Sequence, residues 1–288
     1  MNLHPRALVE RIEPMEGLDG PGRALGAAVD SVIRPGSLKD LLSGSWLGHP
    51  IHPVLTDVVI GAWSGAMFLD VLGGRKARGA ADSLVGLGIL AAVPTAITGL
   101  NDWNDTDGET RRVGLVHGAG NAVALSLHLL SLRARRRGAR ARGFLLSTLG
   151  MGVATFTAYL GGHLVYSRAV GVDMTALEKR PHDWIPVGAL ASIPENELTS
   201  ARAGNADVLL VRRGQRVFAL SNTCSHRGCP LSEGSMDPEN GSVTCGCHGS
   251  MFRLSDGEVL RGPATAPQPA YQVRMREGVV EVRMPARS

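Results

Sequence analysis

CSHRGCPL at 224–231 and CGCHGS at 245–250 hold all four cysteines of this 288-residue chain. Each stretch also carries a histidine. Cysteine thiolates and neutral imidazoles are ligands for iron or zinc, and a Cys-x-His pair followed by a Cys-x-x-His pair supplies four. The candidate ligands are Cys224, His226, Cys245 and His248. Structural zinc sites also use two cysteines and two histidines, so the spacing leaves zinc open. Two features favour a cluster. Gly228, Gly246 and Gly249 keep the loops free of side chains, as bridging sulfides require. Zinc also gives no role to Cys229 and Cys247, which hold equivalent places in the two loops and could bridge them.

From Trp184 onward, apolar and polar residues alternate as in a soluble β domain. Residues 207–222 predict two strands around a Gly214-Gln215 turn. SVTC (242–245), MFRLSDGEVL (251–260) and YQVRMREGVVEVRM (271–284) supply more short strands, the last pair turning at Glu277-Gly278. Both cysteine stretches then fall in loops of a small antiparallel β domain.

CSHRGC and CGCHGS resemble, residue by residue, the C-x-H-x-G-C and C-x-C-H-G-S loops of the Rieske iron–sulfur family, over roughly residues 184–285. The resemblance implies a [2Fe–2S] cluster with Cys224 and Cys245 on one iron and His226 and His248 on the outer one. It also implies a Cys229–Cys247 disulfide, as in the high-potential Rieske proteins of cytochrome bc complexes. GPATAP (262–267) resembles the proline-bearing loop that covers the cluster. Ser250 matches the serine whose hydroxyl donates to a bridging sulfide. One position departs from the pattern: high-potential members usually have tyrosine where this chain has Phe252, which cannot donate. The lost hydrogen bond disfavours the reduced form, so the expected potential lies below that of the quinol-oxidising members.

The N-terminal half is of another kind. Apolar runs at 54–73, 81–100, 113–132 and 143–170 each reach the roughly 20 residues a bilayer-crossing helix needs. Buried helices of a soluble bundle usually show a charged outer stripe, and the second and fourth runs have none. Gly61 and Gly65 recur at a spacing that lets helices approach closely. The expected fold class is multi-domain α plus β: an N-terminal four-helix transmembrane bundle and a C-terminal small antiparallel β Rieske domain. The expected divisions are an external tail at 1–53, irregular or partly amphipathic, the bundle at 54–172, a linker at 173–183 and the Rieske domain at 184–285. HPIHP (49–53), NDW (101–103), HGAGN (117–121) and YLGGHLVY (159–166) resemble an uncharacterised family of four-helix bacterial membrane proteins.

The net charge of +4 comes largely from Arg133, Arg135, Arg136, Arg137, Arg140 and Arg142 in one link. A local basic patch of this kind does not point to nucleic acid. Basic links stay in the cytoplasm. Arg75, Lys76 and Arg78 mark the first link as cytoplasmic too, whereas the link after the second run is acidic. Both termini, and with them the Rieske domain, are therefore expected outside a bacterial cell membrane. No cleavable signal peptide is expected, because the first forty residues contain no continuous apolar core.

His49, His52, His117 and His163 fall near the outer helix ends. Two facing histidines can clamp a b-type haem, with His117 and either His163 or His52 as the candidate pair. The same groups can equally be interhelical hydrogen-bonding glue. His128 shares a helix face with His117 and with Asn121, which is expected to point inward, and Asp70 is the expected partner of His128. His4 and His182 are expected to be solvated.

These features point to a membrane-anchored protein that passes single electrons from a quinol, a haem or a protein donor to a redox partner. It reads as an electron carrier rather than a complete enzyme. The alternatives are the Rieske subunit of a quinol-oxidising respiratory complex, or a redox sensor. A terminal oxygenase is not expected, since little chain follows the Rieske domain.

Overall fold

A computed structural model describes residues 5–285, so His4 lies outside the described residues. The chain forms two units. One contains the residues up to 33 together with 51–170, and the other contains 34–50 together with 171 onward.

The first unit opens with α1 (Pro5–Ile12) and α2 (Asp19–Val32). The tail is therefore largely helical rather than irregular. Val9 and Ile12, three residues apart on one face of α1, are buried in a cluster with Val113 and Leu160. Polar pairs reinforce this docking. Arg112 donates to both carboxylate oxygens of Asp19 at 2.7 and 2.9 Å. Glu13 accepts from Arg168 and pairs with His163. Burial works against an ionised Glu13, but Arg168 and His163 together hold its carboxyl below the ordinary range.

α3 (Ser37–Ser43) belongs to the second unit, and α4 (Ile51–Leu72), α5 (Arg78–Asn104), α6 (Gly108–Arg136) and α7 (Arg140–Tyr166) to the first. All four of these long helices are apolar enough to cross a membrane by length and composition. They match the expected runs, except that the fourth helix stops at Tyr166 and leaves 167–170 outside it. Their outward faces carry large apolar side chains, with Leu90 73% exposed and Phe68 and Leu72 nearly as open. Such exposure suits lipid rather than water.

Inside the bundle, small residues make room for rings. Trp63 of α4 and His128 of α6 stack with centroids 3.7 Å apart and planes 4° from parallel. A Cβ on Gly88 of α5 would collide with Trp63 Nε1, and one on Gly150 of α7 would sit 2.7 Å from the His128 ring. One layer thus takes a ring from each of two helices and a glycine from each of the others. The expected glycine pair is only half used: Gly65 meets Leu84, whereas Gly61 has nothing within 4 Å of its Cβ position. The close approaches fall instead where a ring must be admitted.

His128 is not paired with Asp70. Its Nδ1 bonds to the Ala124 carbonyl at 2.9 Å. Asp70 instead accepts two bonds from Arg135, whose guanidinium fork matches a carboxylate better than an imidazole does. Arg135 also donates to Asp82 at 3.1 Å, and Arg140 reaches both aspartates at 3.0–3.3 Å. Two residues counted in the arginine link are therefore helical and tied into the bundle end, and Arg133, Arg136, Arg137 and Arg142 stay exposed.

The β unit contains three antiparallel sheets. The strands are β1 (Ile185–Ala189), β2 (Leu198–Ala203), β3 (Ala206–Arg213), β4 (Arg216–Ser221), β5 (Ser235–Asp237), β6 (Ser242–Thr244), β7 (Met251–Arg253), β8 (Val259–Arg261), β9 (Gln272–Arg276) and β10 (Val279–Arg283). They pair in the orders β1-β10-β9, β2-β3-β4 and β5-β6-β7-β8. The turns at Gly214-Gln215 and Glu277-Gly278 fall where expected, and both residues of the second have positive φ. That conformation is the usual one for a two-residue hairpin turn.

Candidate metal centre

Pairing of β5 with β6 sets two loops side by side. The first joins β4 to β5 and carries Cys224, His226 and Cys229. The second joins β6 to β7 and carries Cys245, Cys247 and His248. The two loops share one backbone device. Gly228 N–H donates to the Cys224 carbonyl at 2.8 Å, and Gly249 N–H to the Cys245 carbonyl at 3.1 Å. Gly228 and Gly249 have φ of 79° and 80°, a region glycine enters without strain.

The side chains converge as the sequence implies. Cys229 and Cys247 form a disulfide with Cα atoms 6.5 Å apart. Cys224 and Cys245 remain free thiols, both buried. They share a proton: the hydrogen bond between them lowers Cys245 to about 6 and raises Cys224. The Sγ atoms of Cys229 and Cys247 also lie within 4.8 Å of that of Cys245, but the disulfide already engages them. His226 and His248 face each other edge to face with ring centroids 5.0 Å apart. Desolvation, with help from the charges of His248, Lys39 and Arg227, holds His226 well below the ordinary histidine range. That favours the neutral imidazole, the form that binds metal.

Two sulfurs on one side and two imidazoles on the other, with small residues between, fit a half-histidine iron–sulfur cluster. Residues 183–272 match the family described as the Rieske [2Fe-2S] domain. This part of the chain is 33% identical over 102 residues to the anthranilate 1,2-dioxygenase ferredoxin subunit of Burkholderia cepacia, covering 35% of this chain and 93% of that protein.

The chain belongs to the Rieske [2Fe–2S] family.

A second Rieske relative is the cytochrome b6-f complex iron-sulfur subunit of Chlorobaculum thiosulfatiphilum, 29% identical over 32% of this chain and 49% of its own length. Among solved structures, the ferredoxin of carbazole 1,9a-dioxygenase from Nocardioides aromaticivorans IC177 is 26% identical over 35% of this chain and 98% of its own, with a TM-score of 0.34. Residues 48–174 match a second family, described as "Predicted membrane protein (DUF2231)". An electron-transfer domain therefore follows a membrane domain in one chain.

The rest of the Rieske site has one expected contributor and one that sequence reading missed. In the covering loop at 262–267, Ala264 N–H donates to Ser250 Oγ at 3.0 Å. The Ser250 hydroxyl keeps its proton for another acceptor. Gln268 carries no motif, yet it is 1% exposed and stitches the first loop to the covering one. Its Oε1 accepts from Ser225 N–H at 3.0 Å, and its Nε2 donates to the Ser221 and Thr223 carbonyls at 2.8 and 2.5 Å. Phe252 is fully buried in the same apolar cluster as Cys224 and Cys245.

Among the membrane histidines, His52 and His117 lie close enough for their charges to interact. His52 Nδ1 bonds to the Thr95 carbonyl at 2.9 Å and His117 Nδ1 to the Thr157 carbonyl at 2.8 Å. Asn121 donates to His117 Nε2 at 3.1 Å and accepts from Thr157 Oγ1 at 2.7 Å. Asn121 thus turns toward α7 as expected. A metal at His117 Nε2 would have to displace it. His163 turns to Glu13 instead. His49 and His182 are exposed.

Proposed function

We propose that this chain is a membrane-anchored one-electron carrier whose cluster is held by Cys224 and Cys245 on one iron and His226 and His248 on the other. The convergence of these four side chains in two disulfide-tied loops carries the reading. When bound, the cluster supplies a one-electron couple. The chain's own part is to hold the ligands in buried loops, to tie the loops through Cys229–Cys247, and to direct the Ser250 hydroxyl. Redox titration of the purified protein is expected to show uptake of one electron per chain. A protein that takes up none, with its iron in place, would end the reading.

Phe252 favours a carrier over the quinol-oxidising alternative, because no hydroxyl at that position can lift the potential. The potential is expected between about −400 mV, typical of plant-type ferredoxins, and about +300 mV, the upper end for Rieske centres. Phe252→Tyr should raise it by adding a donor. An unchanged potential, with the tyrosine ordered beside Cys224, would contradict the hydrogen-bond account.

For the bundle, a b-type haem would take His52 and His117 as its axial pair and break the Asn121 bond. A Soret band lost in His117→Ala, with the iron–sulfur signal retained, would establish it. Fully loaded protein without a Soret band counts against it.

The Rieske domain is proposed to lie outside, on the side away from the basic links. The chain's lysines are Lys39, Lys76 and Lys179. An impermeant amine reagent on intact cells is expected to label exposed Lys179, after the last helix, and to reach Lys76, in the first link, only after lysis. The reverse pattern would invert the topology.

A further inference from the structure

The β unit includes a segment from the other end of the sequence. Residues 34–50, which contain α3, fold with the Rieske domain rather than with the helices that flank them. Asp40 Oδ1 accepts from Gly262 N–H at 2.8 Å, a contact spanning 222 residues. Ser45 lies so close that a Cβ on Gly262 would collide with its Oγ. Pro35 packs 3.4 Å from the Cβ position of Gly249, the residue after His248. This strap therefore touches both the covering loop and the second ligand loop.

Lys39, next to Asp40, is only 5% exposed. A lysine this buried is rare, because removing an ammonium from water is costly without compensation. Its charge acts on His226.

We propose that residues 34–50 are a working part of the cluster site, in which the strap fixes the Lys39 ammonium beside the histidine-ligated iron and thereby favours the reduced state. An electron arriving from a one-electron donor adds a unit of negative charge to the cluster. A fixed positive charge nearby stabilises that product, and weak screening at a buried site preserves the effect. Lys39 is a positioning charge that acts on the potential and not a ligand.

The inference rests on the cluster reading, and the test separates the two. In full-length protein loaded with its cluster, Lys39→Met should shift the reduction equilibrium about tenfold toward the oxidised form, or about 59 mV lower for a one-electron couple. Lys39→Arg keeps the charge and should stay close to wild type. A Lys39→Met protein with full iron and an unaltered potential overturns the proposal. Wild-type protein without iron would overturn the cluster reading instead. If Lys39→Met fails to load, Lys39→Gln removes the charge and keeps a polar tip, and the same shift is required of it. In addition, wild-type holoprotein treated with an amine reagent should react at Lys76 and Lys179 and leave Lys39 unmodified until unfolding. Rapid labelling of Lys39 would show that the strap is not seated, and the proposal would fall.

Discussion

His248→Ala is expected to abolish the paramagnetic signal that the reduced wild-type protein shows. Wild type should contain about two irons and two acid-labile sulfides per chain, the content of a [2Fe–2S] centre. His248 supplies one of two imidazoles on the histidine side, and its ring lies 5.0 Å from that of His226. No other histidine of the β unit can substitute: His182 is exposed on the linker and His49 is exposed in the strap. The loops themselves should survive, because the Cys229–Cys247 bridge ties them whether or not metal is bound. The lesion is therefore in ligation and not in folding. That distinction can be measured, since apo protein should present Cys224 and Cys245 as titratable thiols with Cys229 and Cys247 still oxidised. Stoichiometric zinc in wild type, or an intact signal in the variant, would sink the assignment.

The parts of this architecture legible in the sequence are those that rest on local pattern. The four apolar runs located α4 to α7 because lipid-facing surface requires apolar side chains along a whole helix. The cluster loops were legible because ligand type, glycine and spacing all sit within a few residues. Short strands such as β5, three residues long, carry too little alternation to stand out. Gln268 was invisible because an isolated glutamine gives no sign that its amide will bridge three backbone groups. The strap at 34–50 could not be read because its contact with Gly262 is set by tertiary folding across 222 residues. Composition also misled in one place. A run of arginines suggested a solvated link, but helix periodicity turns Arg135 inward while Arg136 and Arg137 remain exposed.

That inward arginine carries the largest expected effect on the bundle. The Arg135 side chain is fully buried and that of Asp70 is 5% exposed, so neither can recover water if the other is lost. Asp70, Asp82, Arg135 and Arg140 come one from each long helix and balance to zero net charge. Arg135→Ala leaves two carboxylates facing Arg140 alone and removes the donor to Ser131 Oγ. Breaking a buried pair on one side typically costs about 3–5 kcal/mol. Thermal unfolding in detergent should then fall by on the order of 10 °C. The cost comes from the stranded charge more than from the lost attraction. Arg135→Met combined with Asp70→Leu therefore restores neutrality through the remaining Arg140–Asp82 pair, 3.0 Å apart. The double variant should recover much of the lost stability, because apolar groups of similar volume often replace a buried ion pair without penalty. If Arg135→Ala proved as stable as wild type, Arg140 alone would suffice and the quartet would not be holding the helix ends together. If the double variant were worse than either single one, the pair would be supplying net attraction beyond neutralising its own charges.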